Sequence, residues 1–327
     1  MRDHGGNLQA AIAAFGGTAA DWIDLSTGIN ARPYPVGPIP PEAWNRLPER
    51  SDLAALEQAA QSRYLTSLDV VAVAGAQAAI QLMPLLRPTG RASVLTPTYN
   101  EHAAALRAQG WQVTEAATLA ALSGSDVAVV VNPNNPDGQR HAPDTLAKLA
   151  ANVGLLIVDE SFVDPEPELS VARKTALPEN LIILRSFGKF YGLAGLRLGF
   201  ALCHPALSAQ LRTLIGPWPV SGMAIAVAHR ALHDSDWTDE TTARLTLDAN
   251  RLDALAQDAG WTCVGGTPLF RTYHTANAAQ AQTTLARHHI WTRIFPYSNH
   301  WIRLGLPGHD TDWTRLGTAL HAARTGT

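Results

Sequence analysis

Five short runs, Val70–Val73, Ala92–Leu95, Val127–Val131, Leu155–Val158 and Leu181–Leu184, constrain this chain more than any other feature. They are almost wholly apolar, and alanine- and leucine-rich stretches of helical period separate them. A strand with one solvated face alternates apolar and polar residues, so strands apolar throughout demand cover on both faces. Successive βα units supply that cover. The pattern predicts an α/β fold with a mostly parallel central sheet flanked by helices.

After Pro217-Trp218-Pro219 the texture changes. A polar helix around 239–258, strands near Leu269–Tyr273, Ile290–Ile294 and Trp301–Leu304, and a last helix from Asp312 predict a smaller α+β domain. The proline- and glycine-rich stretch 30–48 reads as a loop. A length of 327 residues exceeds what one core usually spans. The expected division is an N-terminal arm over 1–40 contributing to the small domain and the active site, a large α/β domain over 41–220, and a small domain over 221–327.

Charged residues make up only 16% of the chain, and so lightly charged a surface favours a buried oligomer face. A net charge of -3 without basic blocks offers nothing to nucleic acid or to an anionic membrane, so neither partner is expected. No apolar run approaches the roughly 20 residues of a membrane helix, and the amino terminus lacks an apolar signal core, which makes the cytoplasm the expected location. Cys203 and Cys263 lack disulfide or ligand spacing and read as core residues. The 12 histidines are equally without ligand spacing, and no metal is expected.

The chemistry sits at strand ends, where open α/β sheets form their ligand crevice. Asp159 closes Gly-Leu-Leu-Ile-Val-Asp, at a position where a carboxylate can hold a pyridine nitrogen protonated. Asn135 stands in Asn-Pro-Asn-Asn-Pro-Asp-Gly, a turn that can aim an amide at the same crevice. Lys189 lies in Arg-Ser-Phe-Gly-Lys-Phe-Tyr-Gly-Leu-Ala-Gly-Leu-Arg, with Ser186 three residues before it and Arg197 eight after. Serine hydroxyl and arginine fork suit one phosphate, and the lysine amine suits an aldehyde. The cofactor these parts suggest is pyridoxal 5′-phosphate.

Further candidates follow the same logic. The amides of Ala76 and Gln77, after Gly75, open a helical segment and face a phosphate favourably. Tyr99, in Leu-Thr-Pro-Thr-Tyr-Asn, can stack on an aromatic cofactor. Arg303 and Arg293 suit the anionic groups of a substrate. His4 and Asn30 are polar islands in an arm that can reach a site. Singly, each has an ordinary reading: Asp159 a cap, the Asn135 string a plain turn, Tyr99 a packed ring, the arginines surface ion pairs, His4 a frayed terminus. The order of the strand-end motifs along the chain is what joins them.

Asn135, Asp159, Ser186, Lys189, Arg197 and Arg303 together resemble the motif series of the aspartate-aminotransferase-like enzymes, the fold type I pyridoxal-phosphate family, over nearly the whole chain. His-Gly-Gly-Asn at the start, Asp-Leu-Ser-Thr-Gly-Ile-Asn and Pro-Trp-Pro-Val-Ser are similar to the branch that decarboxylates O-phospho-L-threonine in cobalamin biosynthesis. Histidinol-phosphate aminotransferases are the neighbouring branch. The resemblance implies a homodimeric carboxy-lyase yielding (R)-1-aminopropan-2-yl phosphate, with Lys189 and Asp159 catalytic, Arg303 on the substrate carboxylate, and Arg293, His4 and Asn30 on its phosphate. Its alternatives are a transaminase and a cofactor-binding scaffold without turnover. Gly188, Phe162 and Leu47 depart from the serine or threonine, tyrosine and tyrosine-bearing motif that relatives carry there.

Overall fold

A computed structural model describes residues 4–325, which divide into two compact units. The larger comprises residues 34–135 and 139–238, the smaller residues up to 33, 136–138 and from 239 onward.

The larger unit is built on a seven-stranded sheet in the order Asp69–Val73, Gly199–Cys203, Leu181–Ser186, Leu156–Asp159, Val127–Val131, Arg91–Leu95, Gln112–Ala116. Every adjacent pair is parallel except those made by Gly199–Cys203, which runs antiparallel to both neighbours. The five expected runs are all strands, and the inner ones are buried along their length. Two strands lie outside the five runs. Gln112–Ala116 is a half-exposed edge and so carries polar residues, while Gly199–Cys203 follows directly on the lysine motif.

Register carries the chemistry-bearing ends to one place. Val131 pairs with Asp159, Asp159 with Leu184, and Ser186 with Gly199. Just behind this edge Arg185 is buried with two acids: Nη1 reaches Glu160 at 3.2 Å, Nη2 bonds Asp164, and the guanidinium stacks 4.0 Å over Tyr64. Burial opposes the charge on Arg185, but Asp164 and Glu160 outweigh it and hold its pKa raised. Glu160 itself is pushed up by burial, though it accepts from Ser170 Oγ at 2.6 Å and Val171 N at 2.7 Å. Such a network specifies one packing of the strand ends, because a buried charge left without its partner is costly.

The smaller unit holds an antiparallel sheet in the order Arg293–Phe295, Ser298–Gly305, Phe270–His274, Thr262–Thr267, and a parallel pair of Ile23–Asp24 with Ile290–Trp291. The expected strand 290–294 is thus broken at Thr292, its two halves pairing in different sheets. Helices Ala278–Arg287 and Asp310–Thr325 pack together. Pro136–Gly138 belongs to this unit: Thr272 Oγ1 donates to Pro136 O at 2.5 Å, and a side chain at Gly138 would meet Gly266 at 2.2 Å.

Residues 221–238 lie in the larger unit, where helix Gly222–His233 packs on helix Arg50–Tyr64. Cys203 is buried, but the core position expected for Cys263 is wrong. That thiol stands exposed on the outer half of Thr262–Thr267, where Arg271 Nη2 approaches the sulfur at 3.2 Å. Among the described residues no helix is long and apolar enough to cross a membrane.

Candidate active site

One pocket of about 180 Å³ in the larger unit gathers Ala76, Gln77, Tyr99, Asn135, Asp159, Ser186, Lys189 and Arg197. These eight residues come from five separate loops and strand ends. Gly75, Ser161, Phe162 and Gly188 complete its wall.

Asp159 ends its strand buried, yet its carboxyl is held ionised. His102 Nε2 lies 2.8 Å from Oδ2, while Ser161 donates to Oδ1 from its amide at 2.9 Å and its hydroxyl at 2.5 Å. A carboxylate only accepts, so His102 Nε2 is the donor. Burial pulls the Asp159 pKa upward, and the bonds from His102 and Ser161 overcome it to leave the group below the ordinary carboxylate range. Neither His102 nor Ser161 stood out in the sequence. The available signal was spacing: His102 follows Tyr99 by three residues at the start of helix Glu101–Ala108, and Ser161 follows Asp159 by two.

Lys189 sits in the single helical turn Phe187–Phe190, its ammonium 5.6 Å from the centre of the Phe162 ring. Phe162 has no hydroxyl to offer and presents an aromatic face instead. Gly188 is equally determined by packing, since a β-carbon there would lie 2.7 Å from Ala194 Cα. The third departure, Leu47, is exposed.

Arg197 takes a left-handed backbone (φ 52°) that turns its guanidinium back, with Nη1 donating to Ala194 O at 3.0 Å. It packs on Gly75, also at positive φ (81°), where a β-carbon would stand 2.6 Å from Nη2. Gly199 serves the same approach, for a β-carbon there would fall 2.5 Å from Ala76 N. The turn bearing Asn135 is braced by its neighbours. Asn132 exchanges two bonds with the His141 backbone, and Asn134 accepts from Thr98 Oγ1 at 2.6 Å and donates to Pro97 O at 2.8 Å. Of these three asparagines, Asn135 is the one that lines the pocket.

The four remaining candidates all lie in the smaller unit. His4 and Arg293 line a cleft there with Ser26, Ser298 and His300. Arg303 is buried, donates from Nη2 to Ser26 O at 2.7 Å, and lies opposite Arg293 in strand register. Burial first, and then the Arg293 charge, push the Arg303 pKa down to about 10. Asn30 is buried, and its Oδ1 accepts from Arg32 N at 3.0 Å and Arg244 Nη2 at 2.9 Å.

Residues 41–316 match the family of class I and II aminotransferases, and the chain belongs to that family. Its similarity extends further to two curated relatives. It is 42% identical to a threonine-phosphate decarboxylase of Sinorhizobium sp. across 97% of both chains, and 43% identical to the threonine-phosphate decarboxylase of Pseudomonas aeruginosa across 98% of this chain and 97% of that one. Among solved structures, histidinol-phosphate aminotransferase from Sinorhizobium meliloti in complex with pyridoxal-5′-phosphate superposes with a TM-score of 0.80 over 98% of this chain and 95% of that one; at 21% identity this likeness speaks to the fold.

Proposed function

We propose that this chain is a pyridoxal-phosphate-dependent carboxy-lyase that releases carbon dioxide from O-phospho-L-threonine, leaving (R)-1-aminopropan-2-yl phosphate. The observation that carries the reading is near full-length identity of 42% and 43% to two threonine-phosphate decarboxylases, joined to a pocket that collects Lys189, Asp159, Ser186 and Arg197. The donor set fits this cofactor. A buried carboxylate kept ionised beside an amine and a guanidinium matches a group that carries a basic ring nitrogen, an aldehyde and a phosphate.

When bound, pyridoxal phosphate supplies an aldehyde that captures amines and a ring that accepts the electron pair freed at Cα. Lys189 is the amine that would hold it, Arg197 and Ser186 with the Ala76 and Gln77 amides would bind its phosphate, and Asn135 would bind its ring oxygen. Tyr99 stacks on the ring. The ionised Asp159 keeps the ring nitrogen protonated, and His102 and Ser161 keep Asp159 ionised. Arg303 would hold the substrate carboxylate, and Arg293, His4 and Asn30 would receive the substrate phosphate, a grip at both ends that fixes how the bond from Cα to the carboxylate is presented. Once that bond breaks, Lys189 Nζ donates a proton to Cα. The reading includes a cytosolic homodimer with neither nucleic acid nor membrane as partner, working in cobalamin biosynthesis.

The test is incubation with phosphothreonine and a carbon dioxide assay. Gas release with one equivalent of phosphoamine supports the decarboxylase. Consumption of 2-oxoglutarate with histidinol phosphate and no gas would make it a transaminase, and absence of a visible cofactor band after loading would leave only a scaffold.

A further inference from the structure

The pocket of the larger unit holds a second chain of polar side chains beside the one that secures Asp159. Tyr99 Oη donates to Gln77 Oε1 at 3.1 Å, and Gln77 Nε2 donates to Glu101 Oε2 at 3.1 Å. Tyr99 and Gln77 line the pocket, while Glu101 is 5% exposed behind them. The direction of the chain follows from its end. A carboxylate accepts only, so the amide must turn its NH2 to Glu101 and its oxygen to the phenol.

We propose that Glu101, acting through the Gln77 side chain, is a positioning residue that fixes the Tyr99 ring for stacking on the cofactor. This deepens the proposed function and rests on it. The hydroxyl is tethered to Gln77, the His102 imidazole meets the ring edge-on at 6.2 Å and 83°, and the ring packs against the core of the larger unit. Without the tether the phenol gains torsional freedom, and ordering it on binding would weaken the stack.

Glu101 and His102 are consecutive at the start of helix Glu101–Ala108. One turns to Gln77 and the other to Asp159, so a single helical turn governs both the ring's stacking face and the carboxylate at its nitrogen. Gln77 adds a further link, since its backbone opens the helix that follows Gly75, the glycine against which Arg197 packs. The amide thereby ties the phosphate end of the pocket to its stacking wall.

The experiment compares wild type, Glu101→Gln, Glu101→Leu, Tyr99→Phe and the Glu101→Leu/Tyr99→Phe double variant, all loaded with pyridoxal phosphate. Cofactor dissociation constants and visible-region circular dichroism, which reports the asymmetry around the bound ring, are the readouts. Glu101→Leu and Tyr99→Phe are each expected to weaken retention by about tenfold, from loss of an ordered stack. The double variant should fall within about twofold of either single one, because both cut the same chain. Glu101→Gln still offers an oxygen to Gln77 and should stay within about threefold of wild type. Where Glu101→Leu does not fold, Gln77→Met cuts the chain from its half-buried middle and gives the same readout. Multiplicative effects in the double variant, or a lowered melting temperature with unchanged affinity and dichroism, would overturn the proposal. If wild type retains no cofactor, the proposed function fails by itself; a crystal structure of apo Glu101→Leu then decides the relay, a displaced Tyr99 ring supporting it and an unmoved ring refuting it.

Discussion

Replacing His102 with leucine removes one of three hydrogen bonds that keep Asp159 ionised in a buried setting. The imidazole donates at 2.8 Å to Oδ2, and both groups are almost wholly buried, so no water takes its place without rearrangement. Taking a donor away from a buried charged acceptor costs about 1–3 kcal/mol or more, and the burial of both groups puts this case near about 3, with the two bonds from Ser161 retained. In wild type the Asp159 pKa lies below the ordinary carboxylate value, because burial is outweighed by the bonds from His102 and Ser161. The stabilisation it contributes is therefore complete above that value and is lost as pH falls through the lower, folded-state pKa. In the variant the carboxyl loses its largest charge-favouring contact, its pKa rises, and the deficit belongs to the ionised form. Urea unfolding of the apo proteins is expected to show a deficit of about 3 kcal/mol at neutral pH, narrowing once the pH falls below the ordinary carboxylate range. His102→Gln, which can still donate, should recover part of it. An unchanged midpoint for His102→Leu at neutral pH, or a deficit constant down to acid, would refute the argument that His102 acts through the Asp159 charge.

Restoring the hydroxyl that relatives carry before the lysine should do harm. Gly188→Ser drives a β-carbon to 2.7 Å from Ala194 Cα, and thermal unfolding is expected to show a loss of about 1–3 kcal/mol with weaker cofactor retention. Gly75→Ala, at φ 81° and 2.6 Å from Arg197 Nη2, is expected to cost about 1 kcal/mol from backbone strain and to displace the guanidinium, so the pyridoxal phosphate dissociation constant rises by roughly tenfold. Arg303→Lys keeps a cation but loses the planar fork that donates to Ser26 O, and steady-state kinetics should show KM for phosphothreonine rising by roughly tenfold with a smaller change in kcat.

Much of the larger unit was legible because its signals are local. Strands covered on both faces must be apolar, and the five runs are nearly so, Asp69–Val73 included although it stands at one edge of the sheet. Gln112–Ala116 escaped notice because an edge strand tolerates polar residues, and Cys263 was misplaced because its strand turns one face outward. The eight cofactor candidates were found through their order at strand ends, and register then brought them to a single pocket. The supporting side chains were not found in that way. Glu160 and Asp164 look like surface acids in the chain, yet both are buried against Arg185.

The identity of the reacting groups was written along the chain, since a lysine, a strand-end aspartate and a phosphate-gripping arginine are recognised by residue type and spacing. The state of those groups was not. Asp159 owes its charge in part to His102, 57 positions away, and Arg197 packs against Gly75, more than a hundred positions away. Desolvation and hydrogen bonding act through space, and only the folded chain brings such distant residues into contact.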